Sequence, residues 1–440
     1  MTEAGDRPDV PGKRGLVRDL GMLRDRRFAL LLSARTISVL GTAFAPVALA
    51  FGVLDLPGAT ATTLSLVLAA ASLPLVAFML VGGVIADRLP RNRVMTAGEA
   101  LNAVAYFALA AMLLTGWTPL PALMTASALS GIAGAVLFPA LAGIVPDVVP
   151  AERLQTANAL LGLGTNISRV AGLVLSGAAV MLLGGGVALA VSGAMFTLAG
   201  CLVLLLRLSP AAGRPAGARH SVLADLRSGW REFASRQWLW VVVVQFSVIG
   251  MAFEAAHGVL GPLVAKQSLG GAAAWAAVLA GEAVGLIGGV VVTLRIRPRR
   301  PVLVATLLTV PTALPYLLLG FAAPLWTVVL GAAVGGVCFD VIGVLWATTM
   351  QREIPAESLS RVSSYDSLGS LVLGPVGLLL AGPIAVLAGP RPALVGAGVV
   401  FVVVSLAALL APGVRNLRAP EEDGRAEPGA APSPEPSPSA

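Results

Sequence analysis

The sequence predicts an all-α membrane protein with twelve transmembrane helices arranged as two pseudo-symmetric six-helix bundles. Of its 440 residues, 57% are hydrophobic and only 12% are charged, whereas an ordinary soluble domain carries about 25% charged residues. Apolar runs of 20 or more residues recur along the chain, and each is long enough to cross a hydrocarbon core of about 30 Å. Only helices and closed barrels satisfy their backbone groups in lipid. The runs do not alternate in polarity as barrel strands do, so helices are predicted.

The apolar runs divide the chain into five segments. A cytoplasmic N-terminal segment (1–27) precedes the first bundle (28–207), and a polar cytoplasmic linker (208–237) precedes the second bundle (238–411). A Pro- and Ser-rich cytoplasmic tail (412–440), expected to be disordered, ends the chain. The predicted spans, numbered 1 to 12, are 28–54, 61–86, 94–115, 120–146, 154–183, 187–207, 238–264, 272–294, 301–320, 325–350, 360–388 and 392–411.

The distribution of basic residues orients these spans. Of the 30 lysine and arginine residues, 26 lie on the side of the N-terminus, Lys266 and Arg391 lie on the opposite side, and Arg35 and Arg169 lie within spans. Because basic residues accumulate in cytoplasmic loops, both termini are predicted to be cytoplasmic, in a multi-pass protein of the bacterial inner (cell) membrane. The net charge of +7 is therefore a topology signal and gives no reason to expect nucleic acid as a partner.

The two halves of the chain share landmarks at a constant offset. Pro150-Ala-Glu152 follows span 4, and Pro355-Ala-Glu357 follows span 10, 205 residues later. The same offset relates Gly83, near the end of span 2, to Gly288, near the end of span 8. Parallel repeats of this kind are known in transporters. They predict that the two bundles have the same internal arrangement.

The connection between spans 2 and 3 carries the most specific motif. Gly83 is followed four and five residues later by Asp87 and Arg88, and Arg91 and Arg93 complete a basic turn. The glycine allows neighbouring helices to approach closely. The acid ends a helix, where the helix dipole disfavours it, so its carboxylate is expected to seek the positive N-terminus of another helix. For the last two arginines, a generic basic loop that obeys the positive-inside rule is the alternative.

This segment resembles the signature of the Major Facilitator Superfamily, and the chain is most similar to the superfamily's group of enterobactin exporters and macrolide efflux proteins. The resemblance implies that the motif is a cytoplasmic gate, which latches the inner end shut in one conformational state, and that the start of span 11 receives the acid. Val292 replaces the acid in the second basic turn, and span 5 has Arg169-Val-Ala-Gly172 where relatives often have Gly-Pro. Further residues that carry the resemblance are Pro146-Asp147-Val-Val-Pro150, Ala157-Asn158, Gln351 to Pro355, Arg361-Val-Ser363 and Gly374-Pro375-Val-Gly377.

Five ionisable residues within the spans are candidates for transport chemistry, because a charge at mid-membrane costs from about 2.5 kcal/mol upward and needs a partner, a cavity or a proton. Glu254 and His257 lie three residues apart in span 7, about 60° apart on one face of a regular helix. A carboxylate near an imidazole suits proton exchange. We predict Glu254, Asp340 and Glu282 as proton-coupling candidates, and Arg35, Glu254, His257 and Asp340 as substrate-cavity candidates. The alternative for Glu254 and His257 is a structural pair or an outward-facing polar rim. For Glu282 it is a protonated side chain that is hydrogen-bonded between helices, and for Arg35 a side chain that snorkels to the cytoplasm.

These features predict a secondary active transporter that exports an amphipathic small molecule, such as a drug, an antibiotic or a siderophore-like compound, by alternating access. Proton-coupled antiport is expected, because the sequence shows no Walker motif, and no cofactor or metal is expected. The expected partners are the small-molecule substrate and the lipid bilayer, and one chain is expected to function as a monomer. The alternatives are a nutrient importer or facilitator of the same fold, a transport-inactive sensor and a membrane-embedded lipid enzyme. An enzyme is disfavoured, since two histidines in different environments supply no catalytic cluster.

Overall fold

The computed structural model of the chain describes residues 21–150, 153–206 and 230–418. Within these ranges every regular element is helical, and eleven helices are long and apolar enough to cross a membrane. In chain order they are Arg26–Leu54, Ala61–Arg88, Arg91–Thr115, Leu120–Gly143, Leu154–Leu204, Gln237–Ser268, Ala272–Thr293, Pro301–Gly320, Leu325–Glu353, Ala356–Leu371 continued by Gly374–Ala388, and Pro390–Ala408.

The helix Leu154–Leu204 contains both span 5 and span 6. It has 51 residues, and at about 1.5 Å per residue a straight helix of that length would be more than twice as long as a bilayer core is thick. Gly184 interrupts it with a φ of 81°, in the left-handed region that glycine adopts readily. On either side of this break, Gly172 and Phe196 both pack against the middle of span 1. The chain therefore reverses at Gly184, and the fold class with twelve passes is confirmed.

The two bundles are built alike, as the 205-residue offset predicts. Gly172 of span 5 approaches span 1, and Gly377, 205 residues later in span 11, approaches span 7. Gly177 and Gly382, again 205 residues apart, instead contact spans 8 and 2 of the opposite bundle. A Cβ atom at Gly177 would lie 2.1 Å from the Ala276 Cβ, so only a glycine permits this approach. The repeat thus sets both the packing within each bundle and the contact between them.

Packed structure extends beyond two of the predicted boundaries. Within the predicted linker 208–237, residues 230–235 are helical and Phe233 is buried. Pro412–Asn416, where a disordered tail was expected, is a short helix, and its Val414 is fully buried. The expectation of disorder is wrong for these residues, because isolated apolar side chains in polar segments join a cluster at the inner end of span 7. Residues 1–20, 207–229 and 419–440 lie outside the described residues.

The bundles meet at the end that the basic residues assign to the outside, here called the outer end. The Gly177 and Gly382 contacts lie near the outer ends of spans 5 and 11. Lys266, at the end of span 7, pairs with Asp55 of the first bundle at 2.6 Å between Nζ and Oδ1. Its ammonium group also donates to the carbonyl oxygen of Leu54. These contacts join the two bundles at the outer end.

Toward the opposite, inner end, spans 5 and 8 carry uncovered apolar side chains. Leu163 and Ile167 continue the face of span 5 that carries Gly177, at a helical spacing. Ile287 continues the contacting face of span 8 in the same way, and Val284 lies beside that face. All four apolar side chains are more than half exposed. The described contacts between spans 5 and 8 therefore lie at the outer end, and these side chains of the two spans are uncovered toward the inner end.

Candidate substrate-binding site

A cavity of about 410 Å³ lies midway along the spans of the second bundle. Spans 7, 9, 10 and 11 supply most of its walls, and span 2 of the first bundle closes one side. Among the lining residues that the structure describes, Glu254 and Glu282 alone carry a formal charge. The volume suits a small organic molecule. The aromatic lining residues are Phe246, Phe253, Tyr316, Phe339 and Phe401.

Span 7 changes its helical form where it borders the cavity. The regular helix widens into a π-helical segment over Glu254–Leu260. Pro262 follows it and has no backbone N–H, so the regular hydrogen bond to the carbonyl of Gly258 cannot form and the wider turn is tolerated. The rings of Phe253 and His257 stack within this stretch, with centroids 4.6 Å apart. The widening departs from the regular-helix spacing on which the predicted Glu254 and His257 face was based.

His257 lies at the centre of a polar cluster that joins spans 7, 8 and 9. Its Nδ1 atom lies 3.2 Å from the Tyr316 hydroxyl and 3.9 Å from Oε2 of Glu282. Glu254 precedes His257 by three residues on span 7 and lines the same cavity as Tyr316. The Trp275 ring packs edge-on against the imidazole, with centroids 5.5 Å apart. The cluster therefore places two acids and a hydroxyl in the lining of an aromatic cavity, with the imidazole of His257 beside them. That set of groups can exchange protons and attract a cation.

Three predicted cavity residues lie outside the described cavity lining: Arg35, His257 and Asp340. Of these, His257 nevertheless contacts the lining residues Tyr316 and Glu282. Asp340 of span 10 packs against span 8. A Cβ atom placed on Gly289 of span 8 would lie 2.5 Å from the Cβ atom of Asp340. Its Oδ2 atom is buried without a hydrogen-bond partner. Arg35 of span 1 is half-buried, and its Nε atom also has no partner. The structure does not bring Asp340 and Arg35 to the cluster around His257, and their coupling and binding roles stay predictions.

The predicted gating motif is described only in part. The backbone of span 2 is helical through Arg88, and span 3 begins at Arg91. Arg93 is exposed on the first turn of span 3. The role of the motif as a latch stays a prediction, because the side chains of Asp87 and Arg88 and the surroundings of Gly83 lie outside what the structure describes.

A buried polar network behind the cavity was not predicted from the sequence. The Gln245 Nε2 atom donates to the Thr309 hydroxyl at 3.0 Å and to the Ser405 hydroxyl at 3.3 Å. The network joins spans 7, 9 and 12, and Thr309 also lines the cavity. Hydroxyl groups within apolar runs give no sequence signal, since they can bond to their own helix. The available signal was the glutamine, whose amide requires partners in lipid.

The fold and the cavity define a class of protein: a polytopic membrane transporter whose two bundles enclose a site within the bilayer. The sequence model of the Major Facilitator Superfamily matches residues 28–374, and the chain belongs to this superfamily. It is therefore a membrane transport protein and not an enzyme.

Curated relatives agree with this assignment. The multidrug efflux pump Tap of Mycobacterium tuberculosis (strain ATCC 25618 / H37Rv) is 26% identical over 415 residues, which cover 90% of this chain and 96% of the pump. The enterobactin exporter EntS of Escherichia coli O1:K1 / APEC is 27% identical over 327 residues, which cover 70% of this chain and 74% of the exporter. The resemblance to exporters of this superfamily is thus confirmed at low identity.

Solved structures share the fold. The crystal structure of the nucleoside transporter NupG has a TM-score of 0.73 at 13% identity, covering 87% of this chain and 98% of that one. A bacterial homologue of the human lysosomal transporter Spinster, solved in an inward-facing and unoccupied conformation, has a TM-score of 0.66 at 16% identity and covers 90% of this chain and 99% of that one. At these identities the likeness shows the architecture alone.

Proposed function

We propose that this protein exports an amphipathic, positively charged small molecule in exchange for protons, by alternating access across a bacterial inner membrane. Both termini lie in the cytoplasm in this proposal, and a single chain is the working unit. The observation that carries it is the cavity of about 410 Å³ with aromatic walls, in which Glu254 and Glu282 supply the only formal charge among the described lining residues.

The lining favours a lipophilic cation over other substrates. Aromatic faces attract cations through their quadrupoles, and two carboxylates in a half-desolvated site attract positive charge strongly. A sugar would need many hydroxyl-binding groups, whereas most of the described lining is apolar. An anion would face repulsion from Glu254 and Glu282. The names of the relatives, a multidrug efflux pump and an enterobactin exporter, support export as the direction.

Proton exchange follows from the free-energy cost of leaving the Glu254 and Glu282 carboxylates charged in an apolar cavity. When the substrate cation leaves, two acids remain at the wall of an apolar cavity, where an uncompensated negative charge is costly. Protonation removes that charge, and His257, 3.9 Å from Glu282, is placed to pass or share the proton. A cation and a proton therefore compete for one site. If only the proton-loaded or the cation-loaded form changes conformation, the two fluxes are coupled.

The contacts at the outer end and the uncovered inner side chains of spans 5 and 8 fit one half of the transport cycle. In this conformation a cation from the cytoplasm reaches the cavity and displaces the protons. Rocking of the bundles about their contacts then exposes the site to the outside. Spans 5 and 8, and spans 2 and 11, carry those contacts.

Drug accumulation in cells tests the proposal. Cells that express the chain are loaded with ethidium or with a neutral dye of similar size, with and without a protonophore. We expect expression of the protein to lower the accumulation of ethidium and to leave that of the neutral dye unchanged. The protonophore should abolish the difference between expressing and non-expressing cells. Glu254→Gln and Glu282→Gln should each restore accumulation. Asp340→Asn is the comparison variant, because it changes a partly buried carboxylate outside the cavity lining and thereby separates the two candidate coupling sites.

Two outcomes argue against the proposal. If neither cations nor neutral dyes change in any condition, export of amphipathic cations loses its support. If Asp340→Asn abolishes export while both glutamate variants retain it, the coupling site lies in the interface of spans 8 and 10.

A further inference from the structure

A second, larger hollow lies outside the transport cavity. It is an open groove of about 760 Å³ between spans 7 and 11 in their inner halves. Its walls are almost wholly apolar, and Ser247 is one of the few polar groups among its described lining residues. The side chains that form most of it are Trp230, Phe233, Trp240, Val244, Tyr365 and Val372.

The groove lies on the opposite side of the seam between spans 7 and 11 from the transport cavity. On span 7, the cavity-lining and groove-lining residues are centred about 120° apart around the helix axis, and on span 11 about 180° apart, at 3.6 residues per turn. Val244 and Val372 are 55% and 47% exposed. Since the cavity lies between the bundles, the groove faces the surrounding lipid.

The depth of the groove matches one leaflet. Along span 7 it runs from Trp240 to Val248, and eight residues of helix rise about 12 Å. Half of a hydrocarbon core is about 15 Å thick. Tryptophan side chains favour the interface between hydrocarbon and head groups, so Trp240 marks the level of the inner head groups. The length of the groove is that of an acyl chain in the inner leaflet.

Helical residues 230–235, here called the roof, cover the groove at its inner end. The rings of Trp230 and Phe233 stack on each other with centroids 5.6 Å apart. Both rings line the groove, so the apolar face of this helix is turned to the hydrocarbon. Its next residue, Arg231, is exposed, about 100° around the helix from Trp230. An apolar face flanked by a basic side chain is typical of a helix that lies in the membrane interface.

The roof is fixed to the second bundle. Arg236 pairs with Glu232 at 2.6 Å and also donates to the carbonyl oxygen of Glu353 at the end of span 10. The one acid of the roof is thereby neutralised. The Phe233 and Tyr365 rings are 6.0 Å apart, which joins the roof to span 11. A fixed roof gives the groove a defined shape.

We propose that this groove is a binding site for one anionic phospholipid of the inner leaflet. An acyl chain lies between spans 7 and 11, and the phosphate group of the lipid lies beside Arg231. Charge complementarity selects the lipid, because a basic side chain near the cytoplasmic leaflet attracts anionic head groups. The lipid fills a gap beside the inner half of span 7, from Trp240 to Val248, so it supports the inner part of the span that borders the transport cavity.

Native mass spectrometry of the purified full chain tests the site. The protein is released from micelles after incubation with phosphatidylglycerol, or with phosphatidylethanolamine of the same acyl chains. Val244→Trp and Val372→Trp fill the groove from opposite walls. Val403→Trp is the matched control, since Val403 is 56% exposed on span 12 and lies outside the groove. Arg231→Ala is compared with Arg299→Ala, which removes an exposed arginine from another inner loop.

We expect one phosphatidylglycerol molecule to stay bound in preference to phosphatidylethanolamine. Each groove-filling variant should lower the bound fraction at least fivefold, and Val403→Trp should leave it unchanged. Arg231→Ala should remove the preference for the anionic lipid, and Arg299→Ala should not. Both groove residues are exposed, so their variants are expected to fold, which a monodisperse elution profile verifies. Equal retention of the two lipids, or equal loss in Val403→Trp, would overturn the proposal.

Discussion

Lys266 provides the sharpest test of the closed outer end. It belongs to the second bundle, and it pairs with Asp55 and with the carbonyl of Leu54 in the first. An outward-facing state separates these bundles at the outer end, so both contacts must break. Lys266→Met keeps most of the side-chain volume and removes the charge. We expect this variant to shift the equilibrium toward the outward-facing state.

The size of the shift follows from the two contacts. The Lys266 and Asp55 side chains are 35% and 58% exposed, and exposed ion pairs contribute about 0.2–1 kcal/mol. The hydrogen bond from the ammonium group to the Leu54 carbonyl adds about 1 kcal/mol. Loss of both therefore favours opening by about 1–2 kcal/mol, which is a factor of about 5–30 in the equilibrium constant. Asp55→Asn removes the ion pair alone, so its effect should stay below about fivefold.

Thiol labelling measures this shift. Leu68 of span 2 lies against Gly258 of span 7 across the bundle interface, so a cysteine at position 68 becomes accessible from outside only when the bundles part. Leu68→Cys is introduced after Cys201 and Cys338 are replaced by serine and alanine. A membrane-impermeant maleimide is added from the outside. Its labelling rate reports the population of the open state.

The matched control is Arg391→Met. Arg391 is the other basic residue that the sequence places on the outer side, and it is exposed. Its loss should leave the labelling rate unchanged. High salt should speed labelling of the parent protein and not of Lys266→Met, because salt screens exposed charges. An unchanged rate in Lys266→Met, or an equal rise in Arg391→Met, would refute the reasoning.

Three further predictions concern packing and the polar clusters. A Cβ at Gly377 would lie 1.9 Å from the Met251 carbonyl oxygen, so Gly377→Ala should lower stability by about 1–3 kcal/mol in thermal unfolding. Gly396→Ala, which meets nothing within 4 Å, should not, and equal loss would contradict the packing argument. Tyr316→Phe removes the hydroxyl that contacts His257, so the initial rate of cation–proton exchange should fall severalfold while cation affinity is kept; an unchanged rate would exclude the hydroxyl from proton transfer. Gln245→Leu removes two buried hydrogen bonds and should lower the free energy of unfolding by about 1 kcal/mol. An unchanged free energy of unfolding would show that the amide does not stabilise the bundle.

Most of the fold could be predicted because lipid restricts the choices. Spanning segments must be apolar and helical, so the runs could be counted directly. The turn at Gly184 could also be predicted from the sequence, because three consecutive glycines separate two apolar runs. The packed segments at 230–235 and Pro412–Asn416 could not be predicted, since the linker and the tail that contain them are polar on average. Single buried side chains such as Val414 hold them in place, and an average over a window does not reveal one buried residue.

The site was predictable in part. Glu254, Glu282 and His257 were candidates because charged or titratable groups in apolar runs are expensive and need a reason. Their convergence was not predictable, because it depends on how spans 7, 8 and 9 pack. It also depends on the widened turn that precedes Pro262. The aromatic walls gave no signal, since a phenylalanine that faces a cavity looks the same in sequence as one that faces lipid.

The position of Asp340 illustrates the same limit. Its span and its neighbouring glycines predicted a residue open to the cavity. Gly336 instead brings span 8 close, since a Cβ there would lie 2.2 Å from the Glu282 carbonyl oxygen. Gly335 does line the cavity, so one of the two glycines serves helix packing and the other borders the open space.

The most direct test of the central claim is the proton movement that accompanies cation transport in sealed proteoliposomes. A pH-sensitive dye is trapped inside, and ethidium is added outside without an imposed gradient. We predict that the internal pH rises as the cation enters, because each cation is exchanged for protons. The rise should persist in Asp340→Asn and disappear in a Glu254→Gln, Glu282→Gln double variant. Cation entry without a pH change, or an unchanged pH rise in the double variant, would contradict the account.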